Sequence, residues 1–254
     1  MRRGAGGPLF LYLLAAFLSL ALTMVGAKAR AEGVRQPGGY RLRAVLAARP
    51  AAPVLASLLP SGFEENRGQA PPGSLYMSRE GGMIALFDKR GVSFVLPEGE
   101  KAAFVPRLRF RLLRMNFGGL RRVKKVSIAG LHRLAGRSSY FIGNNPSRWR
   151  VSIPRYEKLS YKGVYPGATF IFGAMRTSRH KNKNALGYDI VLKPGADPGR
   201  LRLFFPGAKV FTDTKGDLVV SRGPSRILML KPEIYQEGKS GKRRIIEGGF
   251  VRMG

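Results

Sequence analysis

Four aspartates, Asp189, Asp197, Asp213 and Asp217, are the carboxylates of this chain that could assemble a general acid/base pair or a Ca²⁺ site. Glycosidic hydrolysis needs two carboxyl groups flanking one bond, and Ca²⁺ needs a shell of about six to eight oxygens. Asp213-x-x-x-Asp217 offers no further oxygen ligands at regular spacing, and Asp197-Pro198 and Asp217 read as turn residues. A carbohydrate-binding or carbohydrate-active protein is therefore the second reading, resting on Asp189 and Asp217. The two histidines, His132 and His180, sit in basic surroundings with no carboxylate nearby in sequence and no serine or cysteine pattern beside them. With no cysteine, disulfides, thiolate metal sites and cysteine nucleophiles are excluded. The expectation is a protein without catalytic residues, metal or cofactor.

Polar and aromatic candidates come next. Asn66, Arg67 and Gln69 could bind a sugar or close a loop through side-chain hydrogen bonds; the loop reading is preferred, because Asn and Gly favour irregular backbone. Tyr140, Trp149, Tyr161 and Tyr165 could form a stacking platform for a glycan or a base, or belong to a β core. Strand alternation places Trp149, the sole tryptophan, inward and its neighbours Arg148 and Arg150 outward, so the core reading is preferred.

Charge is the strongest functional signal. The chain has 45 Lys and Arg against 15 Asp and Glu, a net charge of +30. From Lys101 to Tyr156 there are fourteen basic residues and no acidic one. Such a surface attracts anionic cell-surface polymer, lipid head groups or nucleic acid. The densest stretch supplies the candidate anionic-polymer-binding residues: Arg107, Arg109, Arg111, Arg121, Arg122, Lys124 and Lys125. Arg107-Leu-Arg-Phe-Arg-Leu112 alternates strictly, which predicts Leu108, Phe110 and Leu112 on a core face and the arginines in solvent.

The elements that must carry these residues are mostly strands. Residues 1–31 read as a signal peptide. Arg2 and Arg3 precede an apolar run from Leu9 to Val25, and small residues follow at Ala27, Ala29 and Ala31. Cleavage after Ala29 or after Ala31 fits, the second preferred. An uncleaved membrane anchor competes, since the run reaches the roughly 17-residue lower limit for a spanning helix. Export argues against nucleic acid as the partner. Residues 32–62 read as an Ala/Pro/Gly-rich linker, with a short helix over Arg41–Ala48 ended by Pro50 and Pro53.

From Phe63 the pattern is β. Met83–Phe87 and Gly91–Leu96 flank an Asp88–Gly91 turn, and Asp213–Asp217 reads as a second turn. Further short strands recur to Gln236. The fold class is all-β, an antiparallel sandwich or barrel-like module over 63–254, after a signal helix.

Five motifs occur in order: Phe63-Glu-Glu-Asn-Arg-Gly-Gln69; Tyr140-Phe-Ile-Gly-Asn-Asn-Pro-Ser-Arg-Trp149; Tyr165-Pro-Gly167; Leu186-Gly-Tyr-Asp189 with Lys193-Pro-Gly-Ala-Asp-Pro198; and Lys231-Pro-Glu-Ile-Tyr-Gln236. They resemble the N-terminal all-β module of bacterial exported proteins that carry SBBP-type β-propeller repeats. The resemblance implies residence in the periplasm, at the cell surface or outside the cell, and brings no established activity with it. It also implies at least one more strand after Phe250-Val251; a sheet lacking it would present an open edge to other β modules. Such a protein is expected to work as a structural or adhesive envelope module. The resemblance does not explain the basicity.

Overall fold

The computed structural model describes residues 24–28, 39–48, 62–80, 83–98, 109–118, 126–175, 185–237 and 242–253. Among them, eighteen strands form one continuous sheet, and every pairing is antiparallel. In chain order these are β1 Met24–Lys28, β2 Tyr40–Ala48, β3 Phe63–Glu65, β4 Tyr76–Ser78, β5 Ile84–Asp88, β6 Gly91–Glu98, β7 Arg109–Phe117, β8 Ser127–Tyr140 and β9 Arg150–Lys162. They continue as β10 Ala168–Met175, β11 Ala185–Leu192, β12 Arg202–Phe204, β13 Lys209–Thr212, β14 Leu218–Arg222, β15 Ser225–Met229, β16 Glu233–Glu237, β17 Arg243–Ile246 and β18 Gly249–Met253.

β9 is the branch point. Its C-terminal half pairs with β10, while Arg155 and Tyr156 pair with β3. One arm runs β10, β11, β2 and then β15 and β16; the other runs β3 to β7, then β12, β1 and β18. The arms pack face to face through aromatic rings. Phe87 lies 5.3 Å from Phe172, Phe117 lies 4.9 Å from Phe170, and Tyr161 of β9 touches Phe87, Phe117 and Phe172. Each fully buried ring contributes about 1.5–3 kcal/mol by leaving water, and edge-to-face contact adds about 0.5–1.5 kcal/mol per pair.

Two stretches differ from their sequence reading. Residues 40–48, placed in the linker with a short helix, form β2 between β11 on one edge and β15 and β16 on the other. Leu42, Ala44 and Leu46 are buried on one face while Arg41, Arg43 and Val45 are half-buried. That is a period of two, which a strand satisfies and a helix does not. The signal helix lies largely outside the described residues; within it, Met24–Lys28 is a strand pairing with both β12 and β18.

The phase of β7 is also opposite to the expectation. Leu113, Met115 and Phe117 are buried, whereas Phe110 is 58% and Leu112 48% exposed. Arg111 therefore shares the core-side face instead of opposing it. The three apolar residues at the C-terminal end of the strand bury more surface than Phe110 and Leu112 would, and alternation carries Arg111 along with them. The strand start overhangs the core, where a long arginine stem can lie on apolar surface and keep its head wet.

Candidate functional site

The 14-residue β8 and 13-residue β9 form a ribbon with two irregularities in its ladder. Three residues of β8 oppose Arg155 between the pairs Arg133↔Tyr156 and Arg137↔Pro154, and two residues of β9 oppose Ser139 between Ser138↔Ile153 and Tyr140↔Arg150. His132 and Ser152 take left-handed backbone (φ 55° and 56°) beside these bulges. Bulges bend a strand and sharpen its twist; beyond them, residues 141–149 are all exposed.

That end is the Tyr140–Trp149 motif. Asn145 caps a single 3-10 turn, Pro146–Arg148, by accepting from the Ser147 amide and hydroxyl at 3.0 and 2.8 Å. The turn brings Trp149 edge-on to Phe141 at 5.2 Å, and the indole N–H donates to the Gly143 carbonyl at 3.0 Å. Phe141 (65%), Ile142 (51%), Trp149 (36%) and Val151 (54%) are exposed together. The inward placement of Trp149 is thus corrected. Alternation holds inside a ladder, and Trp149 closes a turn just before β9 begins.

The other members of the supposed aromatic platform do not join it. Tyr161 is buried and donates to the Asp88 carbonyl at 3.1 Å, and burial pushes its phenol well up. Tyr165 donates to the Arg202 carbonyl and accepts from the Gly118 amide at 2.7 Å; burial pushes it up to about 12. Tyr140, the last residue of β8, sits at the base of the exposed turn.

That base is a polar cluster that sequence reading did not assemble. Buried Glu64 of β3 accepts from Arg79 at 3.0 Å, from the Ser138 hydroxyl at 2.7 Å and from the Tyr140 hydroxyl at 2.5 Å. Arg79 also donates to the Tyr140 oxygen and stacks over its ring at 5.3 Å. Burial first, then the Glu64 carboxylate, pushes Tyr140 up to about 12. Nearby, buried Glu80 accepts the Gly62 amide at 2.8 Å and is pushed above the usual carboxylate range by burial. With three donors on Glu64, the arrangement clamps the ribbon to the sheet.

The Phe63–Gln69 motif forms the loop beside it. The Asn66 side chain donates to the carbonyls of Ala70, Pro71 and Ser74 and accepts from the amides of Gly68 and Ala70. Gln69 closes back onto the Glu65 carbonyl at 2.7 Å and the Arg67 amide at 2.7 Å. Both side chains are taken up by their own backbone, as the loop reading has it. Tyr165-Pro-Gly167 and Lys193–Pro198 likewise meet each other. The Lys193 amide donates to the Gly167 carbonyl at 2.9 Å, and a methyl group on Gly167, which has φ 73°, would stand 2.8 Å from the Ala196 methyl.

The four aspartates are spent separately. Asp189 takes a forked ion pair from Arg43, its cross-strand partner, at 3.0 and 3.4 Å. Asp197 caps the turn Pro198–Arg200. Asp213 accepts the amides of Lys215 and Asp217, and buried Asp217 accepts the Lys231 amide at 2.7 Å. Among the described residues no three His, Cys, Asp or Glu side chains gather as a metal site. His132 is exposed, and His180 lies outside the described residues.

Of the basic candidates, Arg107, Arg121, Arg122, Lys124 and Lys125 lie outside the described residues. Arg109 belongs to β7, and Arg111 lies half-buried close to Gly223. Further cations, Arg133, Arg137 and Arg148, are exposed on the β8–β9 ribbon and its tip.

The fold and these sites define an antiparallel β module with a clamped ribbon that ends in an exposed turn. The chain belongs to the family described as a domain of unknown function, DUF7948, whose profile matches residues 63–254. No curated protein and no solved structure matches it. β2 lies ahead of the matched residues and is nevertheless paired within the sheet.

Proposed function

We propose that this is an exported, non-enzymatic module of the cell envelope that holds to anionic surface polymer by electrostatic attraction. The reading rests on one observation: 45 basic residues face 15 acidic ones, so at least thirty cations have no carboxylate of their own. Several carboxylates are already committed, Asp88 to Arg114, Glu64 to Arg79 and Asp189 to Arg43. Arg133, Arg137 and Arg148 have no carboxylate partner among the described residues, and Arg107, Arg109, Arg111, Arg121, Arg122, Lys124 and Lys125 form the densest basic stretch of the sequence. The motif resemblance to modules preceding SBBP-type propeller repeats supports the envelope as the setting.

Docking of partner β modules is the second part of the proposal. β1 falls inside the signal-like segment and pairs with β12 and β18. Removal of residues 1–31 would open both edges to an incoming strand.

The test is retention on isolated envelope fractions against rising salt. Wild-type protein is expected to elute at a salt concentration that charge reversal of Arg107, Arg109, Arg111, Arg121, Arg122, Lys124 and Lys125 sharply lowers. Salt-independent retention, unchanged in the variant, would sink the reading.

A further inference from the structure

The ribbon tip presents apolar surface that electrostatic attraction alone does not account for. Phe141, Ile142, Trp149 and Val151 are all exposed around the turn that joins β8 to β9, and the rings of Phe141 and Trp149 meet edge-on at 5.2 Å. Contiguous apolar exposure of this kind marks a surface that meets another phase or partner. Part of the polar cost of entering an apolar phase is already met within the turn. The indole N–H is bonded to the Gly143 carbonyl, and the amides of Ser147, Arg148 and Trp149 are bonded within the 3-10 turn. An unbonded polar group would make entry costly.

Cations accompany the apolar tip. Arg148 is exposed within it, Arg150 follows at the start of β9, and Arg133 and Arg137 lie further down the ribbon. Glu64 at the base of the tip is paired with Arg79, and the next carboxylate along β9 is Glu157, seven positions beyond Arg150. An acidic polysaccharide or a nucleic acid would match the charge and could stack on the Phe141 and Trp149 rings, but it offers no apolar phase to Ile142 and Val151. A bilayer with anionic head groups matches both. Its phosphates meet the arginines, and its acyl boundary takes the rings, where tryptophan is favoured.

We propose that the tip of the β8–β9 ribbon inserts into the head-group boundary of an anionic lipid bilayer, with Phe141, Ile142, Trp149 and Val151 as the inserted groups and Arg137 and Arg148 as their phosphate partners. The choice of an anionic partner rests on the electrostatic reading above; the insertion does not.

The sole tryptophan makes the test direct. Full-chain protein is titrated with phosphatidylglycerol vesicles, with phosphatidylcholine vesicles and with soluble polygalacturonate, and Trp149 emission and vesicle co-sedimentation are followed. The expected result is a blue shift with phosphatidylglycerol, quenching of Trp149 by brominated acyl chains, and little response to phosphatidylcholine or the polymer. The paired change Phe141→Ser and Ile142→Ser, with unaltered circular dichroism, should weaken vesicle binding by roughly tenfold or more. Co-sedimentation without a blue shift would overturn insertion and leave the electrostatic reading standing. A blue shift with polygalacturonate but not with vesicles would make the tip a polymer site. A blue shift produced by protein concentration alone would make it a contact between copies of this chain. Binding to neither vesicles nor polymer would overturn both proposals.

Discussion

The Tyr140 hydroxyl donates to the Glu64 carboxylate at 2.5 Å across 76 positions of sequence. This bond ties the start of the exposed tip to the first strand of the family-matched region. Glu64→Ala would leave Arg79 with its buried charge uncompensated, and is expected to cost about 3–5 kcal/mol in urea unfolding. Tyr140→Phe keeps the ring over Arg79 and removes one donor, for about 1–3 kcal/mol.

Alkaline stability follows from the same group. Tyr140 is pushed from 10.0 up to about 12, and Tyr165 from 10.0 up to about 12. The folded chain therefore holds these protons more tightly than the unfolded chain. Their contribution is whole below the unfolded value and is lost as pH rises through the folded one. Unfolding free energy should fall between pH of about 10 and about 12, and less so in Tyr140→Phe. Denaturant titrations at stepped pH check this; a slope unchanged by the substitution would count against the assignment to Tyr140.

Gly68 is held at φ 103°, and a methyl group there would stand 2.7 Å from Arg150 Nε. Gly68→Ala should destabilise by about 1–3 kcal/mol from backbone strain. Adding Arg150→Ala should recover only the steric part of that loss, leaving the strain. Full recovery in the double variant would show that the backbone is indifferent to the side chain.

Trp149→Ala should change stability by less than about 1 kcal/mol, because the ring is at a protruding tip. A core tryptophan would cost about 3–5 kcal/mol. Acrylamide should quench Trp149 readily in the free protein. The same contrast applies along β7: Leu113→Ala should cost about 2–5 kcal/mol and Leu112→Ala far less.

Asp189→Asn should leave any glycan binding or turnover unaltered, since its carboxylate is taken by Arg43. The stability cost should be at most about 1 kcal/mol, because Arg43 is 40% exposed and its charge stays solvated. Loss of a glycan-dependent activity in this variant would revive the carbohydrate-active reading.

Local chemistry by itself determined the β class and many of its turns. Asp88–Gly91 and Asp213–Asp217 are legible because a short polar run with glycine between apolar alternations reverses the chain whatever surrounds it. The loop role of Asn66 and Gln69 was legible for the same reason, as their partners lie within eight positions. Period two in Arg107–Leu112 says that there are two faces and is silent on which is buried; Leu113, Met115 and Phe117 decided that by packing against the other arm. Residues 40–48 look like a linker alone, and become a strand because β11 and β15 offer edges on either side. The Glu64, Arg79, Ser138 and Tyr140 cluster, and the exposure of Trp149 beyond it, depend on the branch at β9 and the bulges of the ribbon. Those features are set by contacts between distant segments, and no local pattern of residue types encodes where distant segments meet.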